Sequence, residues 1–139
     1  MKLTKLTAVV LLIPLLVLVM GSFSVAAAAP VTVMKNGTDQ YLADSNGMTL
    51  YYFTKDAGGA SMCTGQCLDR WPIFYTDNVM VPAGMDAKEF GVITRADGKK
   101  QSTFRGWPLY YWTGDKVAGQ TNGQGFNGVW FYVTNPLSY

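Results

Sequence analysis

The sequence predicts an all-β domain: two copies of a short β-meander repeat packed into one small sandwich- or barrel-like unit, preceded by an N-terminal signal helix. Three observations predict it. A ten-residue aromatic motif recurs at a fixed offset of 59 residues, turn signals recur upstream of each copy, and the region after residue 29 lacks helical periodicity.

The first element is read from residues 1–29. Lys2 and Lys5 precede an apolar run from Leu6 to Met20, and small residues close the segment at Ala26, Ala27, Ala28 and Ala29. This is the order of a secretory signal peptide. Cleavage after Ala28 satisfies the small-x-small rule and keeps Pro30 off the scissile bond. An uncleaved anchor is the alternative, since Leu6 to Ala29 is long enough to cross a bilayer. Residues 1–28 are thus expected to be a signal peptide, or an anchor if uncleaved, and 29–139 a single β-repeat domain. Its parts are repeat 1 at about 31–75, a connector at about 76–90 and repeat 2 at about 91–134.

Removing the segment leaves about 111 residues, enough for one core. The chain has 11 Lys and Arg against 9 Asp and Glu, and Lys2 and Lys5 leave with the signal, so the mature domain is formally neutral. A basic surface for nucleic acid therefore has no support. The chain contains no histidine. That excludes a Ser-His-Asp triad, an HExxH zinc site, imidazole-ligated blue copper and histidine-ligated haem.

The repeat supplies the remaining elements. Gly47-Met48-Thr49-Leu50-Tyr51-Tyr52-Phe53-Thr54-Lys55-Asp56 matches Gly106-Trp107-Pro108-Leu109-Tyr110-Tyr111-Trp112-Thr113-Gly114-Asp115, and the same offset of 59 carries Trp71 onto Trp130. In the first copy, Asn36-Gly37 separates Val31–Lys35 from Gln40–Ala43. In the second, Asp97-Gly98 separates Gly91–Arg95 from Lys99–Phe104. Such dipeptides supply the positive φ of tight hairpin turns, so each copy reads as a three-strand meander. A Gly-rich loop follows, then a short strand beginning at Trp71 or Trp130. Only Met85–Phe90 in the connector has the makings of a helical turn. Half-domains of this size cannot bury a core alone and are expected to pack together about an approximate two-fold axis.

In an extended strand Tyr51 and Phe53 share one face, as do Tyr110 and Trp112, while Leu50 with Tyr52 and Leu109 with Tyr111 share the other. Bulk on both sides marks a strand central to a packed structure, or one whose outer rings line a ligand groove. Asp56 and Asp115 fall just past the strand, where a carboxylate accepts backbone N–H groups and fixes the next turn. Cys63 and Cys67 are the only cysteines, so after export they pair with each other or with another chain, and the intrachain disulfide is expected.

These residues resemble a known family. The Tyr-x-aromatic-x-x-Asp signature at Tyr51–Asp56 and Tyr110–Asp115 is similar to that of the bacterial and archaeal secreted repeat family described as predicted lipoproteins. So are Cys63-Thr64-Gly65-Gln66-Cys67 with Trp71-Pro72, Thr94-Arg95-Ala96-Asp97-Gly98, and Thr121-Asn122-Gly123-Gln124-Gly125 with Val129-Trp130. The resemblance covers nearly all of residues 39–133 and implies an extracytoplasmic β-repeat domain, secreted, periplasmic or at the cell surface, without an established activity. The chain lacks the lipid-carrying cysteine of a lipoprotein near its signal junction.

The expected function is that of an exported, non-catalytic module binding an unknown extracytoplasmic ligand or envelope component. No cofactor is expected, and membrane contact only through the N-terminal segment if that is retained. Two other classes compete. A metal-binding or redox protein would use Met62, Cys63, Cys67, Met80 and Met85 for copper(I), or Asp115 with Thr121–Gly125 and Asn127 for calcium. A carbohydrate-binding module would stack sugars on Tyr51, Phe53, Tyr110 and Trp112.

Overall fold

The computed structural model describes residues 31–56 and 59–134. The expected signal helix over residues 1–28 lies outside them.

Each repeat opens with an antiparallel hairpin. In the first, β1 (Val31–Asn36) pairs with β2 (Asp39–Asp44), and Asn36 stands opposite Asp39. The turn is therefore Gly37-Thr38, one residue later than the Asn36-Gly37 reading, with Gly37 at φ 61° taking the left-handed conformation. In the second, β4 (Phe90–Thr94) pairs with β5 (Lys100–Phe104) across a longer loop. That loop is closed by the Arg95 N–H on the Lys99 carbonyl at 2.8 Å and by the Lys99 N–H on the Asp97 carboxylate at 3.0 Å. A third segment completes each meander. β6 (Trp107–Pro108) lies beside β5, and Thr49 pairs with Ala43 at the matching place in repeat 1.

Beyond the meanders, the two copies exchange strands. β3 (Tyr51–Phe53) of the first repeat pairs with β7 (Trp130–Tyr132) at the end of the second, Tyr52 opposite Phe131. The reverse exchange sets Ile73 opposite Tyr110 and brings the Tyr111 N–H to the Pro72 carbonyl at 2.7 Å. Matching backbone bonds recur across the axis: Val133 N–H to Leu50 C=O at 3.1 Å against Phe74 N–H to Leu109 C=O at 2.9 Å, and Thr54 N–H to Val129 C=O at 2.9 Å against Thr113 N–H to Arg70 C=O at 3.0 Å. At the centre Tyr51 and Tyr110 bond each other's backbone in both directions at 2.9 Å. The approximate two-fold axis passes through that contact.

Among the described residues the result is three sheets of two, two and three strands, packed together and not closed into a barrel. Period-2 alternation along the motif strands divides the interior into two cores. Tyr51 and Tyr110 enter one with Tyr41, Trp71, Trp130 and Tyr132; Leu50 and Leu109 enter the other with Leu42, Phe74, Phe104 and Val133.

The loops hold more helix than the sequence suggested. The expected turn in the connector is a 3₁₀ turn at Ala87–Glu89, capped by the Asp86 carboxylate on the Lys88 N–H at 2.9 Å. Two others were not expected: α1 (Cys67–Arg70) and a 3₁₀ turn at Phe126–Gly128. Trp71 accordingly caps α1 through its N–H on the Cys67 carbonyl at 2.9 Å instead of starting a strand, whereas Trp130 does start β7. A four-residue helix carries too little periodicity to be read from sequence.

Candidate functional site

The motif strands place Tyr51 and Tyr110 back to back, so each side chain reaches past the axis into the other repeat. The Tyr51 hydroxyl donates to Asp115 Oδ2 at 2.7 Å, and the Tyr110 hydroxyl donates to Asp56 Oδ2 at 2.8 Å. The second oxygen of each carboxylate serves its own loop. Asp56 Oδ1 accepts the Met62 N–H at 2.6 Å and Asp115 Oδ1 accepts the Asn122 N–H at 2.8 Å. Each Asp thus ties its own Gly-rich loop to the opposite copy's tyrosine. Both tyrosines are 0% exposed. Burial pushes the Tyr110 phenol up to about 12 and raises the Tyr51 phenol as well, each reinforced by the carboxylate it faces. Burial also raises Asp56 above the ordinary carboxylate range, an effect that the Met62 N–H, Tyr110 and Arg95 oppose.

Beside this pair runs a column of four rings. Trp71 and Trp130 lie face to face with centroids 3.8 Å apart and planes 2° from parallel. Phe53 stacks on the outside of Trp130 at 4.3 Å, and Trp112 covers Trp71 at 4.3 Å. Tyr51 and Tyr110 meet the two indoles edge-on at 5.4 and 5.1 Å. The sequence named every member of this column but gave no sign that they stack on one another.

The family described as a secreted repeat of unknown function matches residues 32–74 and again residues 91–134. The chain belongs to this family. No curated protein and no solved structure matches it. The two matched segments of the secreted repeat are the two copies that exchange strands in the fold.

Several sequence candidates in this secreted repeat have defined places. Cys63 and Cys67 are bonded to each other, so neither is a thiolate for copper, and Met85 packs against the second core. The Asp115 oxygens face Tyr51 and Asn122, and the Gln124 side-chain oxygen accepts the Tyr132 N–H at 2.8 Å, so two donors of the calcium set are engaged within the domain. Gly123 lies so close to the Trp71 and Tyr51 rings that a Cβ there would stand 2.9 Å from Trp71. As stacking platforms for sugar, Tyr51 and Tyr110 are inaccessible, while Phe53 and Trp112 are half-buried ends of the ring column. No helix among the described residues is long and apolar enough to cross a membrane.

Two groups were missed. Arg95 is buried, and its guanidinium donates to Ser61 Oγ at 2.5 Å, Gln101 Oε1 at 2.7 Å and the Cys63 carbonyl at 2.7 Å, with Asp97 at 3.2 Å. Ser61 in turn bonds the Tyr110 hydroxyl. An Arg in a hairpin loop reads as exposed, so only three-dimensional closure reveals this network. The second group is the surface around Tyr52 and Trp107, where the two-fold symmetry breaks. Comparing the repeats position by position would have flagged it, since Met48 corresponds to Trp107 at the offset of 59.

Proposed function

We propose that the chain is an exported, non-catalytic binding module of the cell envelope, released by cleavage after Ala28. What supports this reading is the use made of the only symmetric pair of acids. Both oxygens of Asp56 and both of Asp115 accept hydrogen bonds from the domain's own loops and phenols. A general base needs a lone pair aimed at a substrate proton, and these carboxylates direct theirs inward. The signature of the secreted repeat then serves architecture, and ligand recognition falls to the surface where the copies differ.

The test has two parts. Protein recovered from outside the cytoplasm is weighed, and the expected mass begins at Ala29; a mass that retains residues 1–28 removes the release step. The purified domain is then assayed for hydrolase and oxidoreductase turnover. A turnover lost in Asp56→Asn or Asp115→Asn while the fold persists overturns the non-catalytic reading.

A further inference from the structure

Two copies of one fold offer a built-in comparison. Backbone bonds fix the correspondence, because Phe74 and Val133 donate to the equivalent carbonyls of Leu109 and Leu50 and accept from the equivalent amides of Ser102 and Leu42. On the repeat 1 side, the Phe74 ring meets Tyr111 edge-on at 5.7 Å and the Tyr111 hydroxyl donates to Asp44 at 2.9 Å. On the other side Val133 replaces that phenyl ring, and Phe104 occupies the position of Asp44. The smaller residue leaves space. A cavity of about 250 Å³ opens there, lined by Tyr52, Phe104, Arg105, Trp107, Val133 and Thr134.

The lining is unusual in three respects. Trp107 is 40% exposed, standing where repeat 1 has Met48, with its ring 5.3 Å from that of Tyr52. The described tyrosines other than Tyr52 all place their hydroxyls on protein acceptors or donors, Tyr111 among them; the Tyr52 hydroxyl makes no hydrogen bond among the described residues, because Phe104 stands where an acid would receive it. Arg105 holds a left-handed φ of 48° at the first position of the two-residue turn between β5 and β6, a conformation that costs a non-glycine residue about 1–2 kcal/mol. Its guanidinium is fixed by Glu89 at 2.7 Å and by stacking 4.8 Å from Phe104.

We propose that this groove is a saccharide site, resting on the reading of the domain as a binding module, and that it takes pyranose rings of a neutral oligosaccharide on the face of Trp107. Open aromatic faces over an apolar floor suit the C–H face of a sugar, and the Tyr52 hydroxyl suits its hydroxyl rim. A neutral ligand is chosen because Arg105 is engaged by Glu89 at 2.7 Å, and a sugar's C–H face and hydroxyls make no demand on that pair.

The other repeat supplies the substitutions. Trp107→Met and Val133→Phe install the residues that repeat 1 carries at these places, the second as a plug. Cellohexaose, chitohexaose, laminarihexaose and mannohexaose are titrated by calorimetry and tryptophan fluorescence. At least one is expected to bind, and each substitution to weaken it by about tenfold or more with unchanged thermal unfolding. Binding that survives both substitutions overturns the groove. No binding of any hexasaccharide overturns the saccharide class. Should phosphatidylglycerol vesicles or a purified envelope protein then bind wild type but not Trp107→Met, the binding-module reading stands without it.

Discussion

The Tyr51 hydroxyl bonds the Asp115 carboxylate across 64 residues of chain, and Tyr110 returns the same bond to Asp56. The tyrosine and aspartate of one motif therefore serve different partners: each motif is completed by the other copy.

Double-mutant cycles test this crossing. Tyr51→Phe is expected to cost about 1–3 kcal/mol, since it removes a buried donor from Asp115 and an acceptor from the Gly123 N–H. The coupling energy measured by denaturant unfolding should be larger for Tyr51 with Asp115 than for Tyr51 with Asp56. The reverse order would contradict the crossed arrangement.

Isolated repeats should not fold as monomers. A fragment of residues 31–75 keeps β1, β2 and β3 but loses β7, the strand paired with β3, together with Tyr110, Trp130 and Asp115. Its circular dichroism is expected to show no cooperative unfolding until a fragment of residues 76–134 is added. A folded monomeric half would refute the mutual dependence.

Stability should fall as pH rises above 10. Burial raises the folded pKa values of Tyr51, Tyr110 and Tyr111 above the ordinary 10.0 of a phenol, Tyr110 to about 12. Through that window the unfolded chain has already lost phenolic protons that the folded one retains, so ionisation favours unfolding. In a spectrophotometric titration these phenolates should appear together with loss of structure. Their appearance while the fold remains intact would show that these phenols are not buried.

Reduction should loosen one loop and spare the domain. The Cys63–Cys67 bond closes a ring of five residues, for which the chain-entropy estimate is about 2 kcal/mol. Urea unfolding with and without reductant should differ by about that amount, with a cooperative transition in both. Collapse of the whole fold on reduction would show that the bond holds more than its loop.

Much of the architecture was legible because it is written in local signals. Positive-φ glycines mark the hairpins, alternation separates Leu50 from Tyr51, and a constant offset reveals the copies. The short α1 helix and the buried Arg95 were not legible, because one is shorter than a helical period can show and the other depends on groups from distant loops.

The sequence by itself determined a duplicated all-β chain, its hairpins to within a residue, its one possible intrachain disulfide and its family. Tertiary structure decided which copy each Tyr and Asp serves, that Trp71 and Trp130 stack on one another, and that Val133 opens a groove which Phe74 fills on the opposite side. The reason is physical: turn and strand preferences act over a few neighbouring residues, whereas strand exchange and ring stacking depend on where the rotation axis falls. That axis is set by how two complete surfaces pack.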